Sequence, residues 1–130
     1  MFKYKNEAAF SKVVCEHYRR KGLLVQRIES GITSKGIPDV YLAGQIQQTF
    51  IELKRQHCNI SQIMRIDWRP GQQTWMYDYY QHTGKLCYTM ACFNDGIIII
   101  PMRTIYINNI IPATEVKYIC STLHQIPYPL

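Results

Sequence analysis

Asp39, Glu52 and Lys54 are the residues of this chain whose types and spacing could do chemistry together. They stand in two short apolar settings, Ile37-Pro38-Asp39-Val40 and Ile51-Glu52-Leu53-Lys54. Glu52 and Lys54 are two positions apart, so on a strand both side chains leave one face while Leu53 between them points into the core. Two carboxylates converging on a point make a site for Mg2+ or Mn2+, hard cations that prefer oxygen ligands and keep several waters. A bound cation lowers the pKa of a coordinated water and offsets charge building on a phosphate, and a neighbouring lysine orients or deprotonates the attacking water. Phosphodiester hydrolysis needs these functions.

Taken singly, each residue has a plainer explanation. An Asp after Pro is commonly a turn residue, and Glu-x-Lys on an edge strand is commonly a solvated ion pair. The flanks set these residues apart: Val40-Tyr41-Leu42 and Phe50-Ile51 read as buried strands. Charged side chains in such strands need a partner or a task.

The positioning elements follow from periodicity. Val40 to Ala43 and Thr49 to Leu53 form two strands around a turn over residues 44–48. A turn centred near Ile46 sets Asp39 opposite residue 53, beside both Glu52 and Lys54. Upstream, Ala9, Phe10, Val13, Val14 and Tyr18 have the spacing of an amphipathic helix over Asn6 to Lys21, stopped by Gly22. Leu23 to Ile28 reads as a first strand, followed by a Gly/Ser/Thr-rich loop from Ser30 to Gly36. Gln56 to Arg69 has no clear period and reads as a long loop with room for a helical turn. A second helix begins after Pro70 and runs to about His82 before Gly84, with Trp75, Met76 and Tyr79 on its apolar face. Leu86 to Cys92 and Gly96 to Pro101 read as strands around Asn94-Asp95-Gly96, and Thr114 to Leu123 as a last short helix. The predicted fold class is α/β: a single mixed β-sheet flanked by helices, in the order helix, three strands, helix, two strands.

A chain of 130 residues suits one domain, here with a core over about 6–100 and a C-terminal extension over 101–130. A formal charge of +6 favours polyanionic partners such as nucleic acid, although a basic surface also serves solubility. Lys35, Arg55, Arg65 and Arg69 read as loop residues flanking the site and are candidate contacts to a DNA backbone. Tyr77, Tyr79 and Tyr80 offer faces for base stacking or for core packing, with packing favoured by their helical spacing. Cys15, Cys58, Cys87, Cys92 and Cys120 are odd in number and include no C-x-x-C pair, which points to reduced thiols in a cytoplasmic setting rather than a disulfide or zinc framework. His57, His82 and His124 share no zinc spacing. No apolar run approaches the roughly 20 residues of a membrane span. A glycine-rich phosphate loop and the zinc deaminase signature are both absent, so NTP hydrolysis and base deamination lack their motifs.

Gly36-Ile37-Pro38-Asp39 followed by Ile51-Glu52-Leu53-Lys54 resembles the PD-(D/E)XK nuclease superfamily, and within it the small VRR-NUC type, akin to Holliday-junction-resolvase-like nucleases. Arg69-Pro70-Gly71-Gln72, with Trp75 and Gly84 beyond it, resembles the R-P-x-Q segment that opens the helix after that family's active-site strand. The resemblance covers about residues 6–100. It implies a restriction-endonuclease-like core and a Mg2+- or Mn2+-dependent endonuclease acting on DNA. Asp39 and Glu52 would bind metal, Lys54 would position the water, and Gln72 would sit in the site, with Gln73 as second choice. The family's first helix commonly adds an acidic residue to the metal site, which carries onto Glu7, with Glu16 as the competitor. Homodimers acting on branched, flap or junction DNA, and a phage or mobile-element source, are further implications. Two features depart from the pattern: the segment Gln56 to Asp67 is long, and residues 101–130 match none of it. A non-catalytic DNA- or partner-binding module and an RNA-directed nuclease are the competing readings.

Overall fold

The amphipathic run near the N-terminus becomes helix α1 (Glu7–Arg20) in a computed structural model that describes residues 4–28 and 36–130. The Asn6 side chain caps the helix by accepting the Ala9 N–H at 2.9 Å, Glu7 lies in the first turn, and Arg19 and Arg20 lie in the last, in accord with the helix dipole. Its apolar stripe buries Phe10, Val14, Cys15 and Tyr18. Burial of side chains of this size is worth roughly 1.5–3 kcal/mol each.

The strands are β1 (Leu24–Arg27), β2 (Val40–Ala43), β3 (Gln48–Arg55), β4 (Ile63–Arg65), β5 (Tyr88–Phe93), β6 (Gly96–Pro101), β7 (Ile110–Pro112) and β8 (Tyr118–Cys120), with helix α2 (Gln72–Thr83) between β4 and β5. Six of them form one sheet in the order β1-β2-β3-β5-β6-β8, and β4 pairs with β7 separately. The β3–β5 pairing is parallel, bridged by the crossover that contains α2, and the other pairings are antiparallel. The sheet is therefore mixed and flanked by two helices, as the sequence predicts. One apolar cluster joins α1 to Val40, Leu42, Ile51, Leu53 and Met90. The other, on the opposite face, gathers Met76 of α2 with Met64, Ile66, Trp68, Ile98 and Ile100.

Three sequence expectations are corrected. The stretch Gln56 to Arg69 is not a plain loop: it contains β4, and Met64, Ile66 and Trp68 alternate into the core. Thr114 to Leu123 is not a helix but a short 3-10 turn followed by β8, which extends the main sheet beyond β6. The β2–β3 turn spans residues 44–47, and Val40 pairs with Ile51, so continuing this register by one residue sets Asp39 opposite Glu52 rather than residue 53. The difference comes from a turn centre lying half a residue earlier than Ile46.

The last residues fasten this turn. The Tyr128 hydroxyl donates to the Gln47 carbonyl at 3.0 Å and accepts the Gln47 N–H at 3.0 Å, and the Leu130 N–H donates to Gln47 Oε1 at 2.7 Å. Gly44 lies so close beneath the Tyr128 hydroxyl that a Cβ there would collide with it.

Candidate active site

β3 runs past the end of β2, and the chemistry-bearing residues sit where the two strands part. Beyond the Val40–Ile51 pair, the Leu53 N–H has no β2 carbonyl to meet and instead donates to Asp39 Oδ2 at 3.0 Å. Asp39 is thus aimed at β3 by the ladder it terminates. Glu52 and Lys54 share the face of Phe50, whose ring packs against Trp75 and Tyr79 of α2, while Leu53 enters the α1 core.

Both charged side chains are buried, not solvated. Glu52 and Lys54 are each 1% exposed, and Lys54 Nζ lies 3.3 Å from Glu52 Oε2. Gln72, the first residue of α2, donates from Nε2 to the same oxygen at 3.0 Å, and its Oε1 accepts the Arg69 N–H at 2.8 Å. Glu52 Oε1 is buried without a hydrogen-bond partner. Burial first, and the Asp39 carboxylate second, push the Glu52 carboxyl up to about 8, against the opposing pull of Lys54. A carboxylate oxygen with no donor, beside a second carboxylate, is suited to a shared proton or a cation. Among the described residues no three of His, Cys, Asp and Glu gather to hold a metal ion. Mg2+ commonly takes one or two carboxylates and completes its shell with water, so the pair Asp39 and Glu52 fits such an ion.

Two glycines let the halves of the site touch. Gly36 and Gly71 have φ of +88° and +90°, and a Cβ on Gly36 would meet the Gly71 carbonyl and, at 3.1 Å, the Trp75 Cβ. The segment leading to Asp39 therefore packs directly on the start of the helix that carries Gln72.

With this geometry in place, the comparisons with known proteins bear on the fold. No protein-family model and no curated protein sequence matches the chain. Among solved structures it is similar to Hjc of Archaeoglobus fulgidus, a Holliday junction resolvase from an archaeal hyperthermophile, with a TM-score of 0.64, 12% identity, and coverage of 88% of this chain and 94% of that one. The chain shares the fold of that archaeal protein.

Within this fold, the predicted residues separate into groups. Asp39, Glu52, Lys54 and Gln72 come together. Gln73 does not join them, because its amide is bound to the Tyr106 backbone and the Asn109 side chain. Glu7 shares with Asp39, Ser11 and Arg27 a cleft of about 540 Å³ on the α1 side, whereas Glu16 lines a different cleft with His17 and Arg20. Arg69 is exposed beside Gln72, and Arg65 is exposed but lies on β4 rather than in a loop. Arg55 is a correction. It ends β3 with its guanidinium buried on the carbonyls of Tyr4, Gln56 and Cys92 and on Asn94 Oδ1, so it holds the fold rather than facing a ligand. Lys35 lies outside the described residues. Tyr79 packs on Phe50 and Trp75. All five cysteines are free thiols, and among the described residues no helix is long and apolar enough to cross a membrane.

Sequence reasoning missed Arg27. It pairs with Val40 at the end of β1, which puts it one position from Asp39 at the mouth of the cleft. Only the β1–β2 register reveals this.

Proposed function

We propose that the chain is a divalent-metal-dependent endonuclease of the VRR-NUC kind that cuts branched DNA, acting as a homodimer. The observation that carries this reading is the buried Glu52 carboxylate, pinned on one oxygen by Lys54 and Gln72 and left without a donor on the other, with Asp39 beside it. A solvated surface ion pair has no use for such burial, which costs several kcal/mol per charge unless the site is completed. The resolvase fold and the +6 charge support the same reading.

In this mechanism Asp39 and Glu52 would hold a Mg2+ or Mn2+ ion, and Glu7, which lines the same cleft as Asp39, would be the further acidic ligand. Such an ion, when bound, would supply Lewis acidity toward the phosphate and an acidified water. Lys54, held on the same strand face, orients the attacking water and offsets charge on the phosphate. Gln72 fixes the rotamer of Glu52, so its role is positioning.

The test is cleavage of labelled duplex, single-stranded, flap and four-way-junction DNA with Mg2+, Mn2+ or EDTA, comparing wild type with Lys54→Ala and Asp39→Asn. Metal-dependent cutting that falls by at least about 10²-fold in either variant supports the mechanism. Binding of every DNA without cutting would replace it with a non-catalytic module, and cutting confined to RNA would change the substrate class.

A further inference from the structure

Residues 101–130, which the family motif does not reach, supply one wall of a groove beside the candidate active site. Arg69 and Thr74 stand on one side, Ile105, Ile107 and Asn108 on the other, around about 310 Å³. A second depression of about 330 Å³ lies across Asn108 and Asn109 and is bordered by Arg65 and Ile110. No described acidic residue lines either one.

The groove is rigidly built. Gln73 Nε2 donates to the Tyr106 carbonyl at 3.0 Å, Gln73 Oε1 accepts the Tyr106 N–H at 2.7 Å, and Asn109 Nδ2 donates to the Trp68 carbonyl at 2.8 Å. The Tyr106 ring stacks on Trp68 with centroids 5.8 Å apart and planes 5° from parallel. Asn108 and Asn109 turn the chain through the left-handed region, with φ of 58° and 59°. This frame holds Ile107 out in water, 81% exposed. It is also tied to the site: Gln73 grips the loop, and its neighbour Gln72 donates to Glu52.

We propose that the loop from Ile105 to Ile110 is a DNA-docking element, in which Arg65 and Arg69 hold phosphates flanking the scissile one and Ile107 abuts a base pair where branched DNA opens. The inference rests on the nuclease reading above. Guanidinium groups match phosphate oxygens bidentately, and the Asn108 amide adds a donor at the ridge between the two arginines. Apolar side chains such as isoleucine serve as wedges against base steps, but a continuous duplex must first be unstacked to receive one, an unfavourable step that DNA already open at a branch does not require. Ile107 therefore discriminates branched from linear DNA, whereas the arginines bind both.

The experiment measures equilibrium binding of the full chain to a four-way junction and to a linear duplex in EDTA across a salt series, for wild type, Ile107→Ser and the double variant Arg65→Ala/Arg69→Ala. These side chains are exposed, and thermal unfolding controls for the fold. The double-arginine variant is expected to weaken binding to both DNAs and to make the slope of log K against log salt shallower by about 2. Ile107→Ser is expected to lose about tenfold in junction affinity with no loss on linear duplex. Unchanged binding by either variant overturns the proposal, as does an equal loss by Ile107→Ser on both DNAs. Conversion of a dimer to a monomer by Ile107→Ser assigns this face to a second copy of the chain and also overturns it. Because binding in EDTA is independent of chemistry, wild type that binds DNA but never cuts with Mg2+ sinks the nuclease reading alone, whereas wild type that binds no DNA sinks the docking element.

Discussion

A buried carboxylate with one bare oxygen makes its own pH dependence. The Glu52 carboxyl is raised from 4.5 to about 8, so between these values the folded chain keeps a proton that the unfolded chain has released. Stability falls with rising pH wherever the folded state binds more protons, so this group stabilises the metal-free protein below about pH 4.5 and loses that contribution as pH rises toward about 8. The urea midpoint of metal-free protein is expected to drop across this window, and Glu52→Gln to remove most of the drop. Added Mg2+ is expected to raise the midpoint more at the alkaline end, where the ion need not displace a proton. At the same scale, the adjacent glutamines should behave differently. Gln72→Ala is expected to reduce cleavage with little change in stability. Gln73→Ala strands the buried Tyr106 N–H and carbonyl and is expected to cost roughly 1–3 kcal/mol by denaturant titration. Asp39, Glu52 and Lys54 were legible because charges interrupt apolar strands. Arg55 was misread because nothing in a sequence distinguishes an arginine that caps carbonyls from one that faces solvent.

Among elements, those with a sustained period were the readable ones. α1 and α2 fall within a residue or two of their predicted bounds, and β2, β3, β5 and β6 stand where apolar runs put them. β4, β7 and β8 have only three residues each, too few to establish alternation, and each is a strand because a distant partner supplies the ladder. The contacts between elements show where small residues are required. Gly36→Ala adds a methyl at φ +88° against Gly71 and is expected to destabilise by more than about 1 kcal/mol and to displace Asp39 from Glu52, seen as a lower midpoint together with weaker Mg2+ binding. Tyr128→Phe removes both hydrogen bonds to Gln47 and is expected to cost about 1–2 kcal/mol in the same titration without altering the site.

For the whole molecule, the α/β class and the mixed sheet between two helices were readable from element order, and the likeness to the archaeal resolvase is to this architecture. What could not be read was the non-local part: the register that brings Arg27 to the cleft, the extension strand at the sheet edge, and the loop that lies beside Arg69. The parallel seam has a kinetic consequence. Ile51 pairs with Tyr88 and Arg55 with Cys92, so the strand carrying Glu52 and Lys54 cannot zip to β5 from a tight turn and must wait for the crossover to close. Pairings of this kind are slow, because the chain loses loop entropy before any contact compensates. The hairpin bearing Asp39 and Glu52 can form early, but Gln72 is locked in place only with the seam. A nascent chain with only its first half available would thus hold the two carboxylates without Gln72 against Glu52, and the candidate site would be completed in one late step.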